Sequence, residues 1–220
     1  LYGMFSEGYK ASEGDRLVRE ELCEEAIRLA EILCGNQTAN RPETHALLAL
    51  CYFQHSRLGA RIDDARNLLT LEEQDRRSWN REDISRGMRH LEQAATGPKL
   101  TRYHIEAGIA SFHATADSHK STNWKQILEL YDALLEIEPS PVAQLNRIVA
   151  LSMVAGADVA LAKLLELGGK SGLQDYHLFH ATRGELLRKM GRVDEARSAF
   201  EQALRQCSND VERGFLNRKA

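Results

Sequence analysis

The stretch His177-Leu-Phe-His-Ala-Thr-Arg-Gly-Glu-Leu-Leu-Arg-Lys-Met-Gly-Arg-Val-Asp-Glu-Ala-Arg-Ser-Ala-Phe-Glu-Gln-Ala-Leu-Arg-Gln-Cys-Ser-Asn-Asp210 decides the fold. Its spacing predicts two helices joined by a tight turn. Gly184 falls inside the first helix, where a second helix can cross closely. Gly191 stands where a helix ends on a residue of positive φ. Beyond it Glu195-Ala196, Phe200 and Ala203-Leu204 recur on one face of the second helix. Small side chains at 184, 196 and 203 let two backbones approach, and Phe200 fills the groove they leave. Helical hairpins of this kind stack into arrays that bind and position other molecules and rarely carry out chemistry.

The hairpin resembles a repeat of the tetratricopeptide type, two helices over about 34 residues. Helix signals recur upstream of it. Ser12 and Asp15 precede an amphipathic run from Arg16 to Leu33, with Leu17, Leu22, Ala26, Leu29, Ile32 and Leu33 near one face. Gly35-Asn36 stops that run. Pro42 at a first helical position opens a helix from Glu43 to His55. Asn80, with Asp83 three residues on, caps a helix through Ala95 that Gly97-Pro98 ends. Further helices are expected at about 101–116, 123–138, 141–155, 157–167, 175–190, 193–206 and 209–219. Ser140-Pro141 and Asn209 with Glu212 are start signals for two of them. The expected fold is all-α: a tetratricopeptide-like α-α superhelix of three to four stacked antiparallel hairpins. One helical-repeat domain is expected over 1–220, with N-terminal helices and a long loop in 1–100 and hairpins in 101–220.

Composition supports a globular helical chain. It has 220 residues, 43% hydrophobic and 28% charged, and only four prolines. No apolar run approaches the roughly 20 residues that a membrane helix needs. Cys23, Cys34, Cys51 and Cys207 show no CxxC pairing and are expected as buried free thiols in a reducing cytoplasm. A net charge of −3 argues against a free-standing nucleic-acid binder. The first 50 residues carry five Lys/Arg against nine Asp/Glu. The chain begins at Leu1 without an initiator Met, inside an apparent helix, and is expected to be a piece of a longer protein.

The segment Arg57–Asn80 breaks the helical pattern. It contains Arg61-Ile-Asp63, then Leu71-Glu-Glu-Gln-Asp-Arg-Arg-Ser-Trp79, with Leu68 to Leu71 a candidate strand opposite Ala60 to Asp63. A loop of this length within a helical array is usually functional or specially anchored. These residues, together with Leu1-Tyr-Gly-Met-Phe-Ser-Glu-Gly-Tyr9, Ala11-Ser-Glu-Gly-Asp15, Pro139-Ser-Pro141, Asn146-Arg147 and Tyr176-His177 with His180-Ala181, resemble one bacterial group. It is the extracytoplasmic-function sigma factors of the sigma-70 family that carry a C-terminal tetratricopeptide-like extension. The resemblance covers essentially all 220 residues. It implies a regulatory extension whose partners are core RNA polymerase and the sigma factor's own N-terminal domains, with promoter DNA contacted only through those other domains. A regulatory partner protein is a further implied contact. Ser6 stands where many relatives have Asn, and Ala65-Arg66-Asn67 where they have a glycine turn.

No catalytic set, cofactor motif or metal site stands out. His177-x-x-His180 can place two imidazoles on one helix face, but no third ligand is evident, since Asp175 is adjacent and Cys207 distant. Glu72, Glu73 and Asp75 are carboxylates beside Arg57, Arg76 and Arg77, so an ion-pair latch pinning the loop is favoured, with a recognition surface using the same groups as the alternative and acid–base chemistry the least supported. Gln74, Asp75 and Arg76 can satisfy loop backbone groups, with Trp79 as the apolar anchor. Glu7, Tyr9 and Asp15 form a second polar cluster near the start; Glu7 lies on a short helix whose other side, Met4 and Phe5, is apolar and should dock that helix onto the array or onto a DNA-binding domain outside this chain. Arg183, Arg188, Arg192 and Arg197 make a basic stripe that Glu185, Asp194, Glu195 and Glu201 interrupt. The candidate interaction or anchoring residues are therefore Glu7, Tyr9, Asp15, Arg57, Arg61, Asp63, Gln74, Asp75, Arg76, Trp79, Tyr176, His177 and His180. A second expectation is a small-molecule or peptide sensor, its pocket lined by Tyr103, His104, His113, Tyr176 and His177.

Overall fold

Pro42 opens the helix on which the N-terminal part of the chain is built. Its run Ala46 to Phe53 is apolar around nearly the whole circumference, and a helix of that kind must be surrounded. The computed structural model, which describes residues 1–9, 19–63, 65 and 67–220 (backbone only at 170 and 171), places it so. Helix α3 (Pro42–His55) is covered by α1 (Tyr2–Tyr9), α2 (Glu20–Gly35), α4 (Arg81–Ala94) and α5 (Arg102–Thr115). Among the described residues there are eleven α-helices, three short 3-10 turns and no strand. The all-α class expected from the sequence is the one observed.

The helices gather into two compact units, 1–123 and 124–220. Helix α5, which the sequence reading grouped with the later hairpins, packs on α3 and α4 in the first unit. Close approach is arranged by small residues. A Cβ on Gly8 of α1 would lie 2.8 Å from the Arg19 carbonyl and 2.9 Å from Cys23 of α2. A Cβ on Gly87 of α4 would lie 2.7 Å from the Phe53 ring. The buried face of α2 runs through Cys23, Ala26, Ile27, Ala30 and Cys34. This corrects the expected stripe: Ile32 is 55% exposed and Leu33 is also exposed. Mostly short side chains occupy that face, and at Cys23 the close crossing of Gly8 of α1 leaves no room for a longer one. Ser12, Asp15, Arg16 and Leu17 lie outside the described residues.

The second unit holds α6 (Trp124–Ile137), α7 (Pro141–Ala155), α8 (Ala157–Ser171), α9 (His177–Lys189), α10 (Val193–Gln206) and α11 (Asp210–Lys219). Each packs on its neighbour in sequence. Ser140 caps α7 by accepting from the Ala143 N–H at 3.1 Å, and Asn209 caps α11 through the N–H groups of Val211 and Glu212. Helix α9 ends as the sequence predicts. Gly191 has φ +73°, its N–H donates to the Arg188 carbonyl, and the Arg192 N–H donates to that of Leu187. This pair of bonds is the Schellman ending. The Phe200 ring lies 2.8 Å from where a Gly184 Cβ would stand, so α10 seats directly on α9. Burying a side chain of that size contributes about 1.5–3 kcal/mol. Leu161, Leu164, Phe179, Leu187, Ala199 and Phe200 belong to one shared core.

Candidate functional site

The irregular segment between α3 and α4 is held at both ends. The Asn80 N–H donates to the Ser56 carbonyl at 2.7 Å, and the Asn80 side chain then caps α4 through the N–H groups of Glu82 and Asp83. The expected short strand pair reduces to one antiparallel bridge, Ile62 with Leu68. Asp63 supports that turn: its carboxylate accepts from the Asn67 N–H at 2.7 Å and from the Asn67 amide at 2.9 Å. Glu73 accepts from the Thr70 N–H and hydroxyl, both at 2.8 Å. Buried Gln74 donates to the Leu69 carbonyl at 3.1 Å. Side chains thus satisfy backbone groups that no helix ladder serves.

Two buried guanidinium groups tie this loop to the helices. Arg61 is 7% exposed, donates to the Tyr9 carbonyl, and lies over the Tyr9 ring with Cζ 3.7 Å from its centroid. Arg57 meets the same ring at 5.4 Å. Arg76, also 7% exposed, donates to the His113 carbonyl, to the Ala116 carbonyl at 3.0 Å and to Thr122 Oγ1 at 3.2 Å. Those carbonyls end α5, where a helix favours a cation. The Arg76 guanidinium also lies 5.0 Å from the centroid of the buried Trp79 ring. Of the expected ion-pair latch, Asp75 pairs with Arg77 at 2.9 Å on the surface, whereas Arg76 is held by carbonyls instead. Burial first, and then Arg57, Arg76 and His119, push the His113 imidazole down to about 3.

The loop consequently has two sides. Gln74, Arg76 and Trp79 point in; Glu72, Glu73, Asp75 and Arg77 are exposed. Asp75 also caps the 3-10 turn Arg76–Ser78 by accepting from the Arg77 N–H at 3.0 Å. Glu7 and Tyr9 lie on α1, with Phe5 of that helix fully buried against α2 and α3. Asp15 lies outside the described residues.

A groove of about 430 Å³ in the first unit escaped the sequence reading. Glu21, Glu24, Glu25 and Glu31 of α2 line it, with Tyr52, His55 and Asp83 and the cations Arg28 and Arg86. His55 Nδ1–H donates to Asp83 at 2.7 Å, and this bond raises the His55 pKa against the opposing effect of burial. The Tyr52 hydroxyl donates to Glu31, and Arg86 reaches both Tyr52 and Glu82. The acidic excess of the first 50 residues was the signal, but which carboxylates share a face depends on the helix register.

In the second unit His177 and His180 do not converge. His180 Nε2 donates to the Gln174 carbonyl at 2.7 Å, whereas His177 lies 3.3 Å from Glu212. Tyr176 stacks edge-on against His177. The basic stripe is broken by local pairs, Arg188 with Glu185 and Arg192 with Glu195. Tyr103, His104 and His113 sit on α5 of the first unit, and Tyr176 and His177 in the second. All four cysteines are buried free thiols. Among the described residues, metal-ligand side chains come together in three places: Cys34, His45 and His90; His177, Cys207 and Glu212; and Glu20, Glu24 and His55.

Comparison with known proteins agrees with this anatomy. Residues 177–210 match the tetratricopeptide repeat, and residues 1–95 match a family of unknown function, DUF6596. A protein of Rhizobium meliloti (strain 1021), described as uncharacterized, is 40% identical over 216 residues. The alignment covers 98% of this chain and 50% of that relative, so the chain spans about half the relative's length. The C-terminal part is thus a tetratricopeptide-like helical region, a class of structure that generally serves protein–protein contacts. No described helix is long and apolar enough to cross a membrane.

Proposed function

We propose that this chain is the regulatory, protein-interaction part of an RNA polymerase sigma factor and modulates transcription initiation in the cytoplasm. Its role is binding rather than catalysis. The observation that carries the reading is the loop of residues 57–79, the segment with the strongest sigma-factor resemblance. It is locked from within by Arg61, Arg76 and Trp79 while Asp75 and Arg77 remain outside. A segment anchored through Gln74, Arg76 and Trp79 that presents an exposed pair of opposite charges suits recognition of a protein surface, because less ordering entropy is lost on contact. The partners are core polymerase, the sigma factor's own N-terminal domains or a regulatory protein, and promoter DNA is met only by domains outside these residues. The relative of twice the length is consistent with such an arrangement.

The test is Asp75→Lys combined with Arg77→Glu in the full-length protein. Altered promoter-directed transcription with an unchanged melting temperature supports the loop as a contact. Normal transcription from the folded variant removes it. Arg76 is unsuited to this test, because reversing a buried cation would disrupt the loop itself.

A second reading is favoured by the acidic groove. Its lining carboxylates outnumber the two guanidinium groups of Arg28 and Arg86, with Glu25 paired to Arg28 and Asp83 to His55, and Glu21 and Glu24 suit a basic peptide or a small cationic ligand. A thermal-shift screen with Arg/Lys-rich peptides should stabilise the protein if this groove senses them. No shift at low salt counts against it.

A further inference from the structure

We propose that His177, Cys207 and Glu212 form a binding site for a divalent transition-metal ion of the zinc class. The three come from successive helices: His177 starts α9, Cys207 follows the last residue of α10, and Glu212 lies in the first turn of α11. Their ligand atoms all lie within 4.8 Å of one another. His177 Nε2 is 3.3 Å from Glu212 Oε2, and the Cys207 thiol donates weakly to the same oxygen at 3.9 Å and to the Asn209 carbonyl at 3.6 Å. Tetrahedral zinc with bonds of about 2.0–2.2 Å to nitrogen and oxygen and about 2.3 Å to sulfur sets N–O and S–O separations of about 3.4 and 3.6 Å. The observed spacings approach both.

Orientation points the same way. His177 Nε2 is buried and makes no hydrogen bond, although the carboxylate oxygen stands 3.3 Å away. The two atoms are near each other without one aiming at the other, as ligands of a common centre are. The imidazole and carboxylate side chains are 17% and 14% exposed, so an ion can enter from solvent and then be largely shielded. Imidazole, thiolate and carboxylate together are a donor set zinc accepts, with a fourth position left for water or a partner's side chain.

The other groupings fit an ion less well. His45 Nδ1 and His90 Nδ1 are 2.8 Å apart, closer than the roughly 3.3 Å that two nitrogens keep on one tetrahedral zinc. They make an imidazole–imidazole hydrogen bond, and His45 Nε2 is further held 2.9 Å from Asn40. In the third grouping His55 Nε2 is likewise buried without a hydrogen bond, with Nδ1 engaged by Asp83, but both glutamates are exposed and no thiol is present. Bound at the first site, the ion would clip the ends of α9, α10 and α11 together, and the Cys207 thiol would release its proton on coordination.

The experiment is titration of the 220-residue chain with cobalt(II) as a spectroscopic stand-in for zinc. The expected result is saturation at one ion per chain, with the visible bands of a tetrahedral ion and a thiolate-to-cobalt charge-transfer band, all bleached by added zinc. Cys207→Ser should lose the charge-transfer band, His177→Gln and Glu212→Gln should lose tight binding, and Cys34→Ser should keep everything. Circular dichroism establishes that each variant is folded. Absence of the bands with cobalt in large excess overturns the proposal. So does a charge-transfer band that survives Cys207→Ser and disappears in Cys34→Ser.

Discussion

Arg76 and Arg77 are neighbours with opposite fates, and the difference is measurable. Arg76 supplies donors to carbonyls at the end of α5, whereas Arg77 lies outside with Asp75. Arg76→Ala strands buried acceptors, so it should lower unfolding stability by about 1–3 kcal/mol in urea denaturation. Arg76→Lys should not restore it, because an ammonium cannot fork between carbonyls as a guanidinium does. Arg77→Ala should leave the midpoint where it was. His113 gives a pH signature. Its folded pKa is depressed to about 3, chiefly by burial and then by Arg57, Arg76 and His119. The unfolded chain therefore takes up a proton first as pH falls. The stability His113 contributes is complete above about pH 6.5 and is lost progressively below it, towards pH 3, with a slope of up to about 1.4 kcal/mol per pH unit. Denaturation between pH 7 and pH 4.5 should show this loss, and His113→Gln should reduce it, leaving the contributions of His45 and His90, which burial also lowers. None of this inward or outward choice is written in the string Gln74-Asp-Arg-Arg77. The types of residue announce an anchored polar loop, and the three-dimensional path of the loop decides which guanidinium meets a helix end.

At the scale of elements, the α9–α10 hairpin is the most legible part of the molecule and the easiest to break in a defined way. A methyl group on Gly184 would press into the Phe200 ring, which is itself 1% exposed and has no room to retreat. Gly184→Ala should therefore destabilise the protein, and Phe200→Leu in the same chain should recover part of the loss. A thermal melt of the two single variants and the double variant reads the coupling. Gly191→Ala meets open space but must hold φ +73°, so backbone strain alone should cost about 1–2 kcal/mol. Signals that act locally, such as Pro42, Asn80, Ser140-Pro141 and Gly191, placed helix ends within a residue or two. The face of α2 was misread because hydrophobicity alone favours Leu and Ile, while the close crossing of Gly8 of α1 leaves room only for a short side chain at Cys23. The convergence of His177 with Cys207 and Glu212 was missed for a related reason. Residues on three successive helices meet only once the hairpin has closed.

For the whole molecule, two compact units and an uneven charge pattern frame the functional question. The first unit carries the anchored loop and an acidic groove, and the second carries the tetratricopeptide repeat. The chain matches half of a relative about twice its size, so its working context is a longer protein in the proposed reading. That reading makes the helical part matter to transcription initiation, and promoter-directed transcription in vitro measures it directly. The comparison is between the full-length factor and the same protein truncated before Leu1, both folded and at equal concentration with core polymerase. The expected result is a changed transcript yield: a fall if the extension helps engage polymerase, a rise if it restrains the factor. An unchanged yield across promoter and salt conditions would contradict a regulatory role for these residues.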